Sequence, residues 1–412
     1  MRNAAAIALS LCAAGAVMVA GARASDQDFT SVERGRYLAT AADCVACHTI
    51  PGSKDAFAGG RPIETPFGNI VSANITSDQA TGIGSWTDEQ FDRAVRDGIR
   101  PDGSRLYPAM PYPNYTKMSR DDVRAIRAYL RTVEPVNNAV NRSTLPFPFN
   151  IRTAMRGWNM LFFDKGEFKP DPTKSIEWNR GAYLVDGPGH CGACHTPKNV
   201  LGGDKTGEYL QGGPLQGWFA PNITNDEAKG LGKWSVDDIV AYLKTGHNRI
   251  TAATGPMAEE IEHASSKMTD GDLKAMATYL KSVPGGTSEP KPIAENDPAM
   301  KAGHAIYRDQ CAACHMIDGK GVASLFPSLA DASVLRSRDP ATAIRLVLRG
   351  ARTVQTDHEP TGPGMPAYGR MLKDDEIAAV LTYARNAWGR GAPPVTADDV
   401  AKARKDLQAR ND

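Results

Sequence analysis

The chain has almost no net charge: 48 Lys and Arg against 47 Asp and Glu leave +1 over 412 residues. A nucleic-acid binder, which needs a basic excess, is excluded on that count. It also lacks compositional extremes, with 41% hydrophobic and 23% charged residues. Wholesale disorder, collagen and a continuous coiled coil are therefore ruled out. Beyond residue 24 no apolar run reaches bilayer-spanning length. Cysteine is scarce, at seven residues, too few for a disulfide-built scaffold of this size. What matters is where those seven stand.

Met1-Arg2, the apolar run from Ala4 to Ala20 and Ala22-Arg23-Ala24 have the layout of a cleavable signal peptide. Residues 1–24 are expected to be removed, with Cys12 among them, leaving an exported chain of 388 residues. Lipidation at Cys12 is disfavoured because Leu11, just before it, is not a small residue.

The remaining six cysteines form Cys44-Val45-Ala46-Cys47-His48, Cys191-Gly192-Ala193-Cys194-His195 and Cys311-Ala312-Ala313-Cys314-His315. Each is C-x-x-C-H, the pattern of c-type haem attachment. Two thiols three positions apart on a turn can each form a thioether with one vinyl group, and the next imidazole then falls beneath the iron. Structural zinc would need four protein ligands per site, and no cysteine is left to complete them. A thioredoxin-like pair does not account for a histidine after every motif. Disulfides within the pairs stay open as the alternative in an exported protein. The leading expectation is three covalent haems c.

The chain repeats itself around these motifs. Upstream stand Arg34-Gly35-Arg36-Tyr37, Arg180-Gly181-Ala182-Tyr183 and Gly303 to Tyr307. Downstream, Asn74-Ile75-Thr76 matches Asn222-Ile223-Thr224. Three closing helical patterns follow, from Asp122, Asp272 and Glu376. The expected organisation is mainly α: signal 1–24, unit one 25–140, an aromatic and Pro-containing linker 141–174, unit two 175–284, a linker 285–297, unit three 298–392 and a polar tail 393–412. Period-2 alternation is scarce, so little strand is expected.

An iron held by one histidine leaves a sixth position, and methionine there makes an electron-transfer site of raised potential. Met110 follows His48 by 62 residues and Met257 follows His195 by 62; Met365 follows His315 by 50 and is likewise flanked by proline. The rivals Met118 and Met268 occupy one aligned position, where unit three has Leu372, which cannot ligate. They read as core packing. Met110, Met257 and Met365 are the expected ligands. His190, His247, His263, His304 and His358 share no offset and are assigned no metal role. A haem-ligating histidine gives its other ring N–H to a carbonyl. Pro327, 12 positions after His315, resembles the carbonyl-bearing proline of class I cytochromes c, which implies that role in unit three, with the Gly60-Arg61-Pro62 and Gly213-Pro214 stretches as weaker candidates in the others.

With Leu106-Tyr107-Pro108-Ala109-Met110-Pro111-Tyr112, Glu177-Trp178-Asn179-Arg180-Gly181-Ala182-Tyr183-Leu184 and Gly255-Pro256-Met257-Ala258-Glu259, the mature chain resembles over nearly its full length the tri-haem cytochrome c subunit of bacterial membrane-bound dehydrogenases. These are the alcohol, gluconate, fructose, sorbitol and glucose enzymes. The resemblance implies three tandem class I cytochrome c domains and a place on the periplasmic side of the cytoplasmic membrane. It further implies a catalytic flavin, quinone-cofactor or molybdenum subunit as donor, a small accessory subunit, and ubiquinone as acceptor. The chain itself would not be an enzyme. A free periplasmic shuttle to a terminal oxidase, and a haem enzyme such as a peroxidase, are the competing classes.

The C-terminus departs from the family pattern. Thr396 to Asp412 is charged and only modestly amphipathic, where some relatives have a more apolar anchor. Two aromatic segments in the first linker, Leu145 to Phe149 and Trp158 to Phe163, are expected to pack between units one and two; membrane or partner contact is the other reading.

Overall fold

The computed structural model describes residues 30–141, 145–286 and 290–410. The expected signal peptide and Cys12 lie outside the described residues.

Each unit is built on one crossing of two helices. In unit one the helix 30–41 meets the closing helix Arg120–Leu130; in unit two Ile176–Asp186 meets Asp270–Leu280; in unit three Pro298–Ile306 meets Asp374–Asn386. A glycine makes each crossing close. A Cβ on Gly35 would stand 1.8 Å from the carbonyl oxygen of Ala125, one on Gly181 1.9 Å from that of Ala275, and one on Gly303 2.1 Å from that of Ala379. The closing helices of the first two units start on polar caps: Ser119 Oγ accepts from the Asp122 amide and Thr269 Oγ1 from that of Asp272. A third helix completes each unit, at Asp88–Asp97, Val236–Thr245 and Ala341–Arg349, and ends at Gly98, Gly246 and Gly350, all with positive φ.

One core sits in each unit. Phe57, Phe91, Met118 and Ile126 anchor the first; Leu184, Trp234, Met268 and Leu273 the second; Ile344, Leu348, Ile377 and Leu381 the third. The tail, expected as a polar appendage, is instead part of unit three. Its helix Ala397–Gln408 places Val400 and Leu407, seven residues apart and so on one face, in that core. Arg404 ties the helix to Asp374, and Arg410 reaches Glu64 of unit one at 2.8 Å.

Three small antiparallel pairs interrupt the helices: Pro62–Thr65 with Gly68–Val71, Gly213–Leu215 with Trp218–Ala220, and Ala351–Arg352 with Gly364–Met365. The first two escape period-2 reading because they are only three or four residues long and partly solvated on both faces.

Units one and two exchange contacts reciprocally, as about a local two-fold axis. Asp122 takes Arg34 from its own unit (Nε to Oδ1, 2.8 Å) and the Tyr183 hydroxyl from the other. Asp272 takes Arg180 from its own unit (2.8 and 2.7 Å) and the Tyr37 hydroxyl from the other at 2.6 Å. Against the raising effect of burial, the hydrogen bonds from Arg180 and Tyr37 hold the Asp272 carboxyl below its ordinary range. Unit three joins unit two by other means. Arg345 stacks on the Trp218 ring at 4.4 Å, and Val354 packs with Ala253 and Ile261.

The first linker divides its aromatics. Phe163 packs edge-on against Tyr112, Phe149 against Phe67, and Trp158 donates to the Leu201 carbonyl at 2.9 Å, as packing between the units requires. Phe147, Met160 and Leu161 face solvent, 78, 83 and 66% exposed.

Candidate metal centres

The three histidines end short helical turns. His48 closes Cys44–His48, His195 closes Gly192–His195, and His315 closes Ala312–His315, which continues from the π-turn Tyr307–Cys311. Each ring is held by a backbone carbonyl through Nδ1: His48 by Ala73 at 2.6 Å, His195 by Pro221 at 2.6 Å and His315 by Pro327 at 2.9 Å. Donating Nδ1–H fixes the tautomer and leaves the Nε2 lone pair for a metal. Burial also holds all three imidazoles below their ordinary pKa, favouring the neutral form that ligates.

Pro327 is where the resemblance to class I cytochromes implies it, but Pro62 and Pro214 do not supply the carbonyl in the first two units. Both prolines lie in the first strand of a hairpin, and the carbonyl comes only after the chain has returned along the second strand, at Ala73 and Pro221. In unit three only the tight antiparallel bridge Val322–Phe326 intervenes, so its carbonyl follows twelve positions after the histidine. A second contact is common to all three: the His48, His195 and His315 carbonyls accept from Gly59, Gly212 and Gly321.

Among the described residues the six motif cysteines form no disulfide, and only Cys47 is exposed. Burial pushes the Cys44 thiol up to about 12 and those of Cys194 and Cys311 up to about 11. This is opposite to the depressed pKa of a thioredoxin-like nucleophile. Among the described residues no cluster of three or more His, Cys, Asp or Glu could hold a metal by itself. The donor set therefore fits a metal that arrives within a thioether-linked group.

Met110, in the turn before the short helix Tyr112–Tyr115, borders the same core as Cys44; Met257, on the helix Pro256–His263, borders the same core as Cys191. Met365 lies in the last strand, and Tyr368, three residues on, donates to the Gln310 carbonyl beside Cys311 at 2.8 Å. All three are half-buried. Met118 and Met268 are 0 and 3% exposed within the cores, and Leu372 packs at the corresponding place. His190 binds the Pro188 carbonyl and His304 stacks on Tyr383, neither in a motif.

The cytochrome c family profile matches residues 32–134, 179–284 and 300–388, one match around each motif. The chain is 41% identical over 396 residues to the gluconate 2-dehydrogenase cytochrome c subunit of Pantoea cypripedii, covering 91% of this chain and 90% of that one. It is 40% identical over 403 residues to the cytochrome c subunit of the quinone-type alcohol dehydrogenase of Gluconacetobacter polyoxogenes, covering 93 and 86%. It is 39% identical over 404 residues to the fructose dehydrogenase cytochrome subunit of Gluconobacter japonicus, covering 91 and 82%. Three repeated centres, one family match over each and relatives similar along nearly the whole chain lead to one conclusion: the protein belongs to the cytochrome c family as a dehydrogenase cytochrome c subunit, a non-catalytic electron carrier with three covalently bound haems c.

Proposed function

We propose that Cys44 and Cys47, Cys191 and Cys194, and Cys311 and Cys314 carry the thioether links. Each iron would be held by one histidine and one methionine: His48 with Met110, His195 with Met257 and His315 with Met365. The unit boundaries expected from the repeats are kept in this reading, except that unit three extends through the helix Ala397–Gln408. Bound haem c supplies one-electron exchange between ferrous and ferric iron. The residues orient the imidazoles, and would supply a thioether sulfur to each iron and shield both ligands from water. What carries the reading is the carbonyl-tied imidazole in every motif, with half-buried Met110 and Met257 bordering the same cores as Cys44 and Cys191. No iron is then left open for substrate, which disfavours peroxidase or sulfur-oxidase chemistry. A pyridine haemochrome assay on the matured protein should count three haems per chain; two or fewer would refute the assignment.

The donor in this reading is a catalytic dehydrogenase subunit, accompanied by a small accessory subunit, and the acceptor is ubiquinone on the periplasmic side of the cytoplasmic membrane. The isolated chain should oxidise no sugar or alcohol. Its haems should be reduced once the partner subunit and its substrate are added, then reoxidised by a ubiquinone analogue. Reduction by a substrate without any partner would overturn the non-catalytic role.

Among the described residues no helix is long and apolar enough to cross a membrane. Peripheral attachment in this reading uses the outward part of the first linker with Val200 and Leu201. Phe147, Met160, Leu161, Val200 and Leu201 are all exposed there. From Leu145 to Phe163 the chain carries Arg152 and Arg156 but no acidic residue, the pattern of a segment lying on an anionic lipid surface. Salt washing should leave the cytochrome on membranes and detergent should release it. Met160→Glu with Leu161→Glu should shift it toward the salt-washed supernatant. Clean release of the unaltered protein by salt, free of dehydrogenase activity, would favour the soluble shuttle.

A further inference from the structure

We propose that Arg61 and Glu259 form a positioning pair that joins the centres of units one and two and sets electron transfer between them. The proposal deepens the electron-carrier reading and rests on Met257 as a ligand. Arg61 directly precedes the first strand Pro62–Thr65. Its Nη1 donates to the Ala46 carbonyl at 2.6 Å, inside the first Cys-x-x-Cys-His turn. The same guanidinium grips Glu259 with both terminal nitrogens, Nη1 on Oε1 and Nη2 on Oε2 at 2.9 Å. Glu259 stands two residues past Met257 on the helix Pro256–His263, and that helix packs against Cys44–His48.

One side chain therefore touches the attachment turn of the first centre and the methionine helix of the second. A two-pronged guanidinium–carboxylate contact fixes orientation as well as distance, which a lysine cannot reproduce. The pair is only 22 and 32% exposed, so solvent screens it incompletely. Among the described residues the other paired arginines of these two units serve different ends. Arg34 and Arg180 bind aspartates of their own units, and neither touches a motif. Among the described residues unit three meets unit two through Arg345 on Trp218, through Val354, through Thr342 on Phe219 and through the Ser328 amide on the Ile250 carbonyl. The transfer served by the pair moves one electron from the ferrous iron of one unit to the ferric iron of the other. No bond is made or broken and no proton is required.

Charge deletion separates positioning from mere support. Removing a cation near an iron favours its ferric state, and removing an anion favours the ferrous state. In the holoprotein within its complex, Arg61→Gln should lower the midpoint potentials of the first two centres, and Glu259→Gln should raise them. The double variant should return toward the unaltered values, while the third centre stays fixed. Photoreduction followed by transient absorption should show transfer between the first two centres slowed on the order of tenfold in Arg61→Gln, as small misplacements of reacting groups produce. Arg61→Lys keeps the charge, so its potentials should stay near the unaltered ones while the rate still falls. Shifts of the same sign in both Gln variants, or unchanged potentials and rates, would overturn the proposal. Failure of the underlying reading is distinguishable: Met257→Ala would then leave the sulfur-to-iron absorption intact.

Discussion

Alanine in place of Met110, Met257 or Met365 is expected to abolish one third of the sulfur-to-iron charge-transfer absorption of the oxidised protein. Each substitution should also lower the potential of one centre and open one iron to carbon monoxide, because a thioether stabilises the ferrous state and occupies the sixth position. The contrast lies with the other methionines near these centres. Met118 and Met268 are 0 and 3% exposed, packed with Val123 and Ile126 in one core and Leu273 and Leu280 in the other. Their alanine variants should lose about 2–5 kcal/mol of stability by cavity formation and keep the full absorption. Carbon monoxide binding after Met118→Ala would reassign the ligand of unit one.

A comparably large effect is expected where no cofactor is touched. Gly181→Ala places a methyl group 1.9 Å from the Ala275 carbonyl oxygen and 3.0 Å from the Tyr279 Cβ. Both obstacles belong to the closing helix, so the two helices must part. Overpacking costs typically about 1–3 kcal/mol, occasionally more; with backbone as the obstacle, the upper end or beyond applies. Gly157 is the control. It lies in the helix Met155–Phe162, and a Cβ there would meet nothing within 4 Å, so Gly157→Ala should stabilise by about 0.5–1 kcal/mol through helix propensity. Opposite signs in thermal unfolding check the crossing; equal signs would show that the helices can relax apart. Gly35→Ala and Gly303→Ala should resemble Gly181→Ala, each lowering haem retention in its own unit.

The sequence by itself determined whatever depends on residues close together along the chain. Three Cys-x-x-Cys-His turns, the repeat of Arg-Gly-x-Tyr before two of them and the matched interval to Met110 and Met257 were all readable without coordinates. Covalent attachment at each turn is local chemistry, so it leaves a short signature. The resemblance to class I cytochromes c implied Pro327, twelve positions after His315.

Only the tertiary structure decided what depends on the return path of the chain. Ala73 and Pro221 orient their histidines through backbone carbonyls, which every residue type carries, and the preceding hairpins displace them from the prolines in the sequence. The tail looked like a polar appendage because Val400 and Leu407 are two apolar positions in a charged helix, yet both are buried once unit three stands beneath them. The exchange of Tyr37 and Tyr183 between units, and the bridge from Arg61 to Glu259, span 235, 61 and 198 positions. Charged and hydroxyl side chains are common enough that no spacing marks such pairs, and only the packing of whole units brings them within hydrogen-bonding distance.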